Sequence, residues 1–453
     1  MKEHDIEMLA LSYFSNLGYE VGDGQKEFGA GALGEREEWS DVILWKRFEN
    51  KILQINPLVP KHVIKEAIRK FKITLTDEGV LPRANLLFHQ MLTLGIQIIR
   101  TDDEGKNQTY NIQIIDSANP GNNDWLAVQQ LEVQQGISRR IPDLVVYLNG
   151  LPISVFELKT LARESVHLVQ AYNQLETYKR EITPLFKTNV LLAISNLKYS
   201  RVGSLTSGWN RFVPWRDMDS INNSSNKWEL EEMISNLFNK EHLIDYILNF
   251  VLFQNHHEGL SKIIGGYHQC HAAKKALVRT REEVSKSGRG TIGVVWHTQG
   301  SGKSLTMVFL SQLIGRDLEL ENPTILVVTD RNDLDGQLYH TFNLSTEYLG
   351  QQPVQIASKK DLISTLKQRE VGGIFFSTIQ KFLPVKGEEM ELLSDRRNII
   401  VITDEAHRSQ YDFVDGYAHN LRTAFPQASF IGFTGTPISY VDRDTRLVFG
   451  DDI

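Results

Sequence analysis

Hydrophobic and polar positions follow two different patterns in this chain, and the change between them falls near residue 255. Beyond that point, short apolar runs alternate with segments of helical period. Five of these runs are predicted strands: Ile292–Trp296, Thr324–Thr329, Gly373–Phe376, Asn398–Thr403 and Ser429–Phe433. Strands that alternate with helices indicate an α/β fold with a parallel sheet.

The first 255 residues have a more mixed pattern, with helical stretches, short strands and polar loops. We divide the chain into residues 1–255, with a core at about 116–200, and residues 256–453. Residues 1–255 contain a helical start at Ile6–Leu17, a glycine-rich loop at Gly22–Gly34, a helical stretch at Glu164–Glu181 and a polar loop at Ser204–Asn226. The boundary at about 250–260 follows the predicted helical run Trp228–Phe253.

Composition is that of an ordinary globular protein, with 41% hydrophobic and 23% charged residues among 453. No apolar run approaches the roughly 18 residues of a membrane span, so we expect no membrane association. A single cysteine, Cys270, excludes an internal disulfide framework and favours a reducing cytoplasm.

Charge neither demands nor excludes a polyanionic partner. The net charge of −7 argues against bulk attraction to nucleic acid but leaves room for a local basic groove. One basic stretch is either such a groove or a solvated helix face: Lys274, Lys275, Arg279, Arg281, Lys286 and Arg289.

Residues 297–304 read His-Thr-Gln-Gly-Ser-Gly-Lys-Ser, between a predicted strand and the helical run Leu305–Ile314. This order is typical of a phosphate-binding loop, whose backbone N–H groups and following helix N-terminus surround the phosphates. Lys303 would reach the β- and γ-phosphates, and Ser304 would bind Mg²⁺. His297 replaces the first glycine of the common pattern. The predicted ATP contacts in this loop are Thr298, Gln299, Gly300, Ser301, Gly302, Lys303 and Ser304.

A second acidic motif, Asp404-Glu405-Ala406-His407, follows the predicted strand Asn398–Thr403. The carboxyl ends of strands in an open parallel sheet form the edge where ligands bind. Asp404 would hold the ATP-bound Mg²⁺ through water, and Glu405 would orient the attacking water.

Residues 141–160 contain two very apolar strands around a turn at Asn149-Gly150. Glu157 and Lys159 are two residues apart and share a face of the second strand. A two-residue turn would pair Asp143 with Phe156, on the wrong face. A three- or five-residue turn would pair it with Glu157, and Pro152 favours the longer turn because it cannot donate to a ladder.

Asp143, Glu157 and Lys159 would then converge, and two close carboxylates repel unless a cation lies between them. Mg²⁺ is suited to such a site and would polarise a phosphodiester and acidify a bound water. Lys159 would position or deprotonate that water, or stabilise charge on the phosphorane. Gln174 and Tyr178, one helical turn apart, could donate to a DNA phosphate.

In this order, the motifs resemble the restriction (R, or HsdR) subunit of type I restriction–modification enzymes. The Asp…Glu-x-Lys core and Gln-x-x-x-Tyr precede a superfamily 2 motor, and His297 is part of that family's loop. Other similar segments are Tyr267-His268-Gln269, Val328-Thr329-Asp330-Arg331, Phe376-Ser377-Thr378-Ile379-Gln380 and Thr434-Gly435-Thr436-Pro437. The resemblance implies that Gln269 senses adenine, and that His407, Thr434, Gly435 and Thr436 couple ATP to DNA movement.

The resemblance implies a PD-(D/E)xK-type nuclease domain followed by a RecA-like, doubly wound parallel-sheet motor domain. The implied protein uses ATP and Mg²⁺, and it binds a methyltransferase core of modification and specificity subunits in a prokaryotic cytoplasm. It pumps double-stranded DNA and cuts unmethylated foreign DNA far from the recognition site.

The residues up to Ile453 supply no second RecA-like domain, so we expect these residues alone to bind ATP weakly and to hydrolyse it slowly. Two other hypotheses for the function remain. One is a superfamily 2 helicase or translocase without nuclease activity, and the other is a non-enzymatic assembly module ordered by ATP. A type III restriction subunit is disfavoured, because its nuclease is expected after the motor.

Overall fold

The structure is a computed structural model that describes residues 2–31, 34–101, 105–161, 164–216, 227–285, 290–298, 300–329, 332–382, 390–404, 417–435, 449–451 and 453. The chain forms two compact units, Met1–Ile264 and Gly265–Ile453. The units divide nine residues after the predicted change at 255. The difference is a hairpin, Val251–Ile264, that packs with the first unit: Lys262 in its second strand donates to Asn85 at 2.9 Å.

The first unit contains both helices and strands in its described residues. The helices are α1 (Glu3–Asn16), α2 (Trp45–Ile55), α3 (Lys61–Asp77), α4 (Leu81–Leu94), α5 (Glu164–Glu181), α6 (Glu229–Leu237) and α7 (Lys240–Asn249). The strands are β1 (Glu20–Asp23), β2 (Ile96–Thr101), β3 (Asn107–Ile112), β4 (Trp125–Gln129), β5 (Val133–Gln135), β6 (Ser138–Arg140), β7 (Leu144–Leu148), β8 (Leu151–Leu158), β9 (Leu191–Ser195), β10 (Ser200–Gly203), β11 (Val251–His256) and β12 (Gly259–Ile264).

A mixed six-stranded sheet in the order β1-β4-β7-β8-β9-β10 forms the centre of this unit. The pairs β1–β4 and β8–β9 are parallel, and the other neighbours are antiparallel. All residues of β7 and β8 are buried, which explains why both read as continuous apolar runs. Helix α1 contacts β8, and α5 contacts β8 and β9, so both helices pack beside the strand that carries Glu157.

The β7–β8 hairpin reaches the predicted register by a different route. Its turn has only two residues, Asn149 and Gly150, with φ angles of 51° and 77° typical of a type I′ turn. A β-bulge at Ile153 then shifts the pairing by one, so that Leu144 pairs with Phe156. The longer turn was therefore wrong. Proline is tolerated beside a bulge, because the ladder there does not require its missing N–H.

The predicted single helical run Trp228–Phe253 was also wrong. Helix α6 ends before Asn239, whose side chain caps α7 by accepting from the backbone N–H groups of Glu241 and His242. From Val251 the chain is a strand that pairs antiparallel with β12. The sequence has a helical pattern throughout this run, but the Asn239 cap starts a new helix within it and strand pairing determines the conformation of its last residues.

The second unit is built on a parallel sheet. Its helices are α8 (Tyr267–Ser285), α9 (Lys303–Arg316), α10 (Asn332–Leu344), α11 (Thr346–Leu349), α12 (Lys359–Gln368) and α13 (Tyr417–Ala424). Its strands are β13 (Thr291–Trp296), β14 (Thr324–Thr329), β15 (Val354–Gln355), β16 (Ile374–Thr378), β17 (Ile399–Asp404) and β18 (Ser429–Thr434).

Every strand pair in this sheet is parallel, in the order β13-β18-β17-β14-β16-β15. The chain runs outward from β13 to β15 and then back to β18, so its crossovers run in both directions, as in doubly wound sheets. All five predicted strands are confirmed within two residues at each end, and the two-residue β15 was not predicted. None of the helices in the described ranges is long and apolar enough to cross a membrane.

Candidate active sites

The first candidate site lies where β7 begins and β8 ends. Continuing the register by one residue from Leu144 and Phe156 places Asp143 opposite Glu157. Asp143 Oδ2 accepts from the backbone N–H of Leu158 at 2.7 Å, and Lys159 Nζ donates to Glu157 Oε1 at 2.6 Å. The structure therefore brings together the three side chains that the sequence singled out.

Burial sets the charge of this site. It raises the pKa of Asp143 to about 6, although the Leu158 N–H and Lys159 act in the opposite direction. Burial, with repulsion from Asp143, raises the pKa of Glu157 to about 9. Burial alone would lower the pKa of Lys159, but Glu157, with Glu3 and Asp143, outweighs it and the pKa is raised. Lys159 is therefore a charged group, better suited to stabilising negative charge than to accepting a proton.

One carboxylate oxygen in this site lacks a partner. Glu157 is fully buried, and its Oε2 has no hydrogen-bond partner among the described residues. A buried unpaired carboxylate oxygen is costly, and a hard divalent cation is a fitting ligand for it. Within the described ranges no group of three or more His, Cys, Asp or Glu side chains is arranged for a metal. A cation would thus depend on Asp143, Glu157 and oxygens from outside the chain.

Gln174 and Tyr178 on α5 form a pair beside the same carboxylates. Gln174 Nε2 donates to the Tyr178 hydroxyl at 2.6 Å. Burial, followed by the negative charge of Glu157, raises the pKa of Tyr178 well above its ordinary value. Tyr178 therefore stays protonated at physiological pH and can serve as a hydrogen-bond donor near Glu157.

Sequence reasoning gave little or no weight to three residues that support this site. Lys159 Nζ also donates to Glu3 Oε1 at 3.0 Å. Gln130 Nε2 donates to Glu7 Oε2 at 3.0 Å and lies 3.4 Å from Asp143 Oδ1. Glu7 is buried on α1, and its pKa is raised by burial and by Asp143. The available signal was weak: an acidic residue on the inward face of the opening helix, more than a hundred residues from its partners.

The second candidate site lies between β13 and α9. Gly300 and Gly302 have φ angles of 84° and 89°, which glycine adopts without steric cost. Gly302 immediately precedes α9, so the loop delivers the chain to the N-terminus of a 14-residue helix. Backbone N–H groups at such a terminus favour bound phosphate.

Lys303 and Asp404 meet across the sheet edge. Lys303 Nζ lies 2.6 Å from Asp404 Oδ1, and both side chains are largely buried. Asp404 ends β17, and β18 lies between that strand and β13. The strand-end carboxylate and the loop lysine are thus close enough to act on one bound group, as the sequence predicted.

Part of the predicted site lies outside the described residues: Gln299, Glu405, His407 and Thr436. Thr298, Gly300, Ser301, Gly302 and Ser304 lie in the loop or the first turn of α9, and Gly435 directly follows β18. Thr434 is buried, and its carbonyl accepts from the His297 N–H at 3.0 Å. The Gln269 amide donates to the Gly302 carbonyl at 3.0 Å and accepts from the Gly266 N–H at 2.8 Å, so it contacts the loop itself.

Family models match both units of the chain. Residues 1–211 match the model described as the type I restriction enzyme R protein N terminus, and residues 268–453 match the SWI2/SNF2 ATPase model. The type I restriction enzyme HindI endonuclease subunit of Haemophilus influenzae is 42% identical over 99% of this chain and 44% of its own length. A putative type I restriction enzyme endonuclease subunit of Methanocaldococcus jannaschii, MjaIXP, is 35% identical over 100% of this chain and 44% of its own length.

The chain therefore spans less than half the length of these curated relatives. Among solved structures, a nuclease-deletion mutant of the Type ISP restriction-modification enzyme LlaGI, in complex with a DNA substrate mimic, is 18% identical over 41% of this chain and 19% of its own. Its TM-score of 0.30 is too low to support a conclusion about this chain.

Proposed function

We propose that the chain is the N-terminal part of an endonuclease subunit of a type I restriction enzyme, and that it supplies the nuclease and the first ATPase domain of that subunit. The complete protein would couple ATP hydrolysis to translocation of double-stranded DNA and would cut unmethylated foreign DNA away from the recognition site. Its partners would be the modification and specificity subunits of a methyltransferase core in a prokaryotic cytoplasm.

Residues 1–255 would carry the cutting chemistry in a PD-(D/E)xK-type domain. Asp143 and Glu157 would hold Mg²⁺, which when bound polarises a phosphodiester and lowers the pKa of water. The Lys159 ammonium would stabilise the negative charge that develops on the phosphate during attack. Tyr178, and Gln174 through its amide, would donate to DNA phosphate oxygens and align the backbone.

Residues 256–453 would carry the ATP chemistry of the motor. Lys303 would leave Asp404 for the β- and γ-phosphates, while Ser304 and Asp404 would face the Mg²⁺ that accompanies ATP. Glu405 would orient the attacking water, and Gln269 would sense adenine. His407, Thr434, Gly435 and Thr436 would couple hydrolysis to DNA movement.

The nuclease proposal is carried by the buried Glu157 carboxylate, whose Oε2 has no hydrogen-bond partner among the described residues while Asp143 and Lys159 lie beside it. Such an arrangement costs free energy, because a buried polar oxygen without a partner is destabilising and the ionised carboxylate needs a compensating cation. A motor without nuclease activity has no need for it.

The test is cleavage of circular plasmid DNA that contains an unmethylated recognition site, with ATP and Mg²⁺. The complete subunit would be reconstituted with its methyltransferase partners as wild type, Lys159→Ala and Lys303→Ala. We expect Lys159→Ala to keep ATPase activity and lose cutting, and Lys303→Ala to lose both. Lys51→Ala is a matched control, because this lysine on α2 lies outside both candidate sites and donates to the Asn122 carbonyl at 2.9 Å. Cutting by Lys159→Ala at the wild-type rate would leave a DNA-dependent motor as the function.

A further inference from the structure

Two histidines that the proposed ATP chemistry does not use converge on one residue of the phosphate-binding loop, Ser301. His297 directly follows β13 and is buried, and His268 is the second residue of α8. Their ring centroids are 5.6 Å apart. His297 Nδ1 lies 3.0 Å from the Ser301 hydroxyl oxygen, and His268 Nε2 lies 3.0 Å from the Ser301 carbonyl oxygen.

The hydrogen-bond partners assign a different ring nitrogen as the donor in each histidine. The Ser301 hydroxyl donates its one proton to the Thr298 carbonyl at 2.6 Å, so toward His297 it can only accept. His297 therefore carries its proton on Nδ1. A carbonyl oxygen cannot donate, so His268 carries a proton on Nε2. Burial, with His268 and Lys303 nearby, lowers the pKa of His297 to about 4, which keeps that ring neutral.

Holding the Ser301 carbonyl orients the next backbone N–H. In a planar trans peptide the C=O and N–H bonds point in opposite directions. The Ser301 carbonyl points toward His268 on α8, so the Gly302 N–H points to the other side of the loop. Backbone N–H groups in this part of a phosphate-binding loop are the donors that bound phosphates require.

Close packing of Gly302 against Gln269 also holds the loop on the side that faces α8. A Cβ built on this glycine would lie 2.5 Å from Gln269 Nε2, so the residue at this position can be only glycine without displacing that amide. The Ser301–Gly302 segment thus contacts α8 along two successive peptide groups.

We propose that His268 and His297 are positioning residues that hold the loop in its phosphate-binding conformation before the nucleotide arrives. This inference rests on the proposed ATP site and adds two residues to it. Neither histidine touches the nucleotide. Without them, part of the binding free energy of ATP is spent on ordering the loop, so ATP affinity falls.

The test uses the identity of the donating nitrogen. An asparagine amide can replace a histidine Nδ1–H, and a glutamine amide can replace an Nε2–H, because each side chain places its NH₂ at the corresponding distance from the backbone. We therefore expect His297→Asn and His268→Gln to keep ATP affinity. The swapped variants, His297→Gln and His268→Asn, should raise Kd and KM for ATP by about 2- to 10-fold, the effect of one net hydrogen bond.

The measurements are ATP binding by displacement of a fluorescent ATP analogue and steady-state ATPase kinetics, both with the complete subunit and DNA. We expect KM to rise with kcat changed by less than about twofold, since the chemistry itself is untouched. His340→Asn and His340→Gln are controls on the exposed part of α10. Thermal unfolding identifies any variant that is not folded. If a variant of one histidine is unfolded, the comparison of the Asn and Gln variants at the other histidine tests the proposal.

Two results would overturn the proposal in different ways. Suppose that wild type binds ATP and Lys303→Ala does not, but the Asn and Gln variants bind ATP equally well at each histidine. The proposed positioning role of the two histidines is then wrong, and the proposed ATP site stands. If wild type and Lys303→Ala bind ATP equally poorly in the complete complex, the proposed ATP site itself fails.

Discussion

The two candidate sites differ in the kind of backbone that carries them. Asp143, Glu157 and Lys159 are at the ends of adjacent, fully buried strands, where ladder hydrogen bonds fix the register. The phosphate-binding loop lies between a strand and a helix, and its conformation depends on side chains from elsewhere, including His268 and Gln269. A strand site is ordered by its own backbone pairing, whereas a loop site needs contacts from neighbouring elements.

The two sites also differ in how their charges are balanced. In the strand site, burial and mutual repulsion raise the pKa of both Asp143 and Glu157, so the carboxylates disfavour ionisation until a cation compensates them. In the loop site, Lys303 and Asp404 neutralise each other at 2.6 Å. The first site therefore lowers the stability of the fold, whereas in the proposed ATP site Lys303 would exchange Asp404 for the phosphates when ATP binds.

The largest expected effect is that of Asp404→Asn, which removes the charge that balances Lys303. Asparagine neither pairs with an ammonium nor holds Mg²⁺ as a carboxylate does, so ATP hydrolysis should fall by about 10²–10³-fold. If the proposed function is correct, DNA cleavage should fall with it, because cutting would follow translocation. The measurement is steady-state ATPase of the complete subunit with DNA.

Asp361→Asn is the control for this change, since Asp361 lies in the same unit and accepts from the backbone N–H of Ala357 at 3.0 Å, as a local cap. Wild-type hydrolysis by Asp404→Asn would show that this carboxylate is not part of the ATP site.

Gln130→Leu should affect the strand site alone. Leucine fills a similar volume but cannot donate to Glu7 and Asp143, so the carboxylates lose the amide that connects them. Loss of such a supporting partner typically lowers activity by about 10–100-fold. We expect plasmid cleavage to fall by that factor while ATPase is unchanged.

Two further variants sharpen this result. Gln130→Gly removes the donor and also relieves the left-handed φ of 50°, so equal loss of cleavage would exclude backbone strain as the cause. Gln134→Leu is the matched control, since its amide donates to Glu132 at 2.8 Å. Full cleavage by Gln130→Leu would remove Gln130 from the site.

Glu157→Gln should stabilise the first unit at neutral pH by about 1–3 kcal/mol in the absence of metal. The folded pKa, about 9, is above the unfolded value of 4.5, so folding favours the protonated form. The contribution of the protonated carboxyl is complete below about pH 4.5 and is lost as pH rises toward 9. Chemical denaturation at pH 5 and pH 8 should show a larger gain at pH 8.

Glu132→Gln tests the sign of this effect. The hydrogen bonds from Arg139 lower the pKa of Glu132, so this substitution should destabilise the fold at neutral pH, and the difference should shrink in acid. A Glu157→Gln protein that is less stable than wild type at pH 8 would show that this carboxylate is compensated in the fold.

The smallest expected effect is that of Glu3→Ala. Glu3 pairs with Lys159 at 3.0 Å, but 41% of its side chain is exposed. Exposed ion pairs contribute less than about 1 kcal/mol, so we expect stability and cleavage to change little. Cleavage assays on Glu3→Ala beside Lys159→Ala would show this directly. A loss as large as that of Lys159→Ala would show that the Glu3 carboxylate is essential for cleavage.

The strands of the second unit could be read from the sequence, because buried parallel strands leave continuous apolar runs between helices. The errors arose where local pattern and tertiary contact disagree. Trp228–Phe253 has a helical pattern, yet its last residues pair with a strand that the sequence did not identify. The turn at Asn149-Gly150 has only two residues, because the bulge at Ile153 produces the one-residue shift in strand pairing that we expected from a longer turn.

The sequence by itself was enough to single out the candidate site residues Asp143, Glu157, Lys159, Lys303 and Asp404, since they belong to local motifs whose spacing follows strand and loop geometry. Only the tertiary structure decided what surrounds them. Glu3, Glu7 and Gln130 reach the first site, and His268 reaches the second, from positions far away in the chain. The physical reason is that spacing fixes contacts within one element, whereas burial, pKa and loop conformation depend on elements brought together by folding.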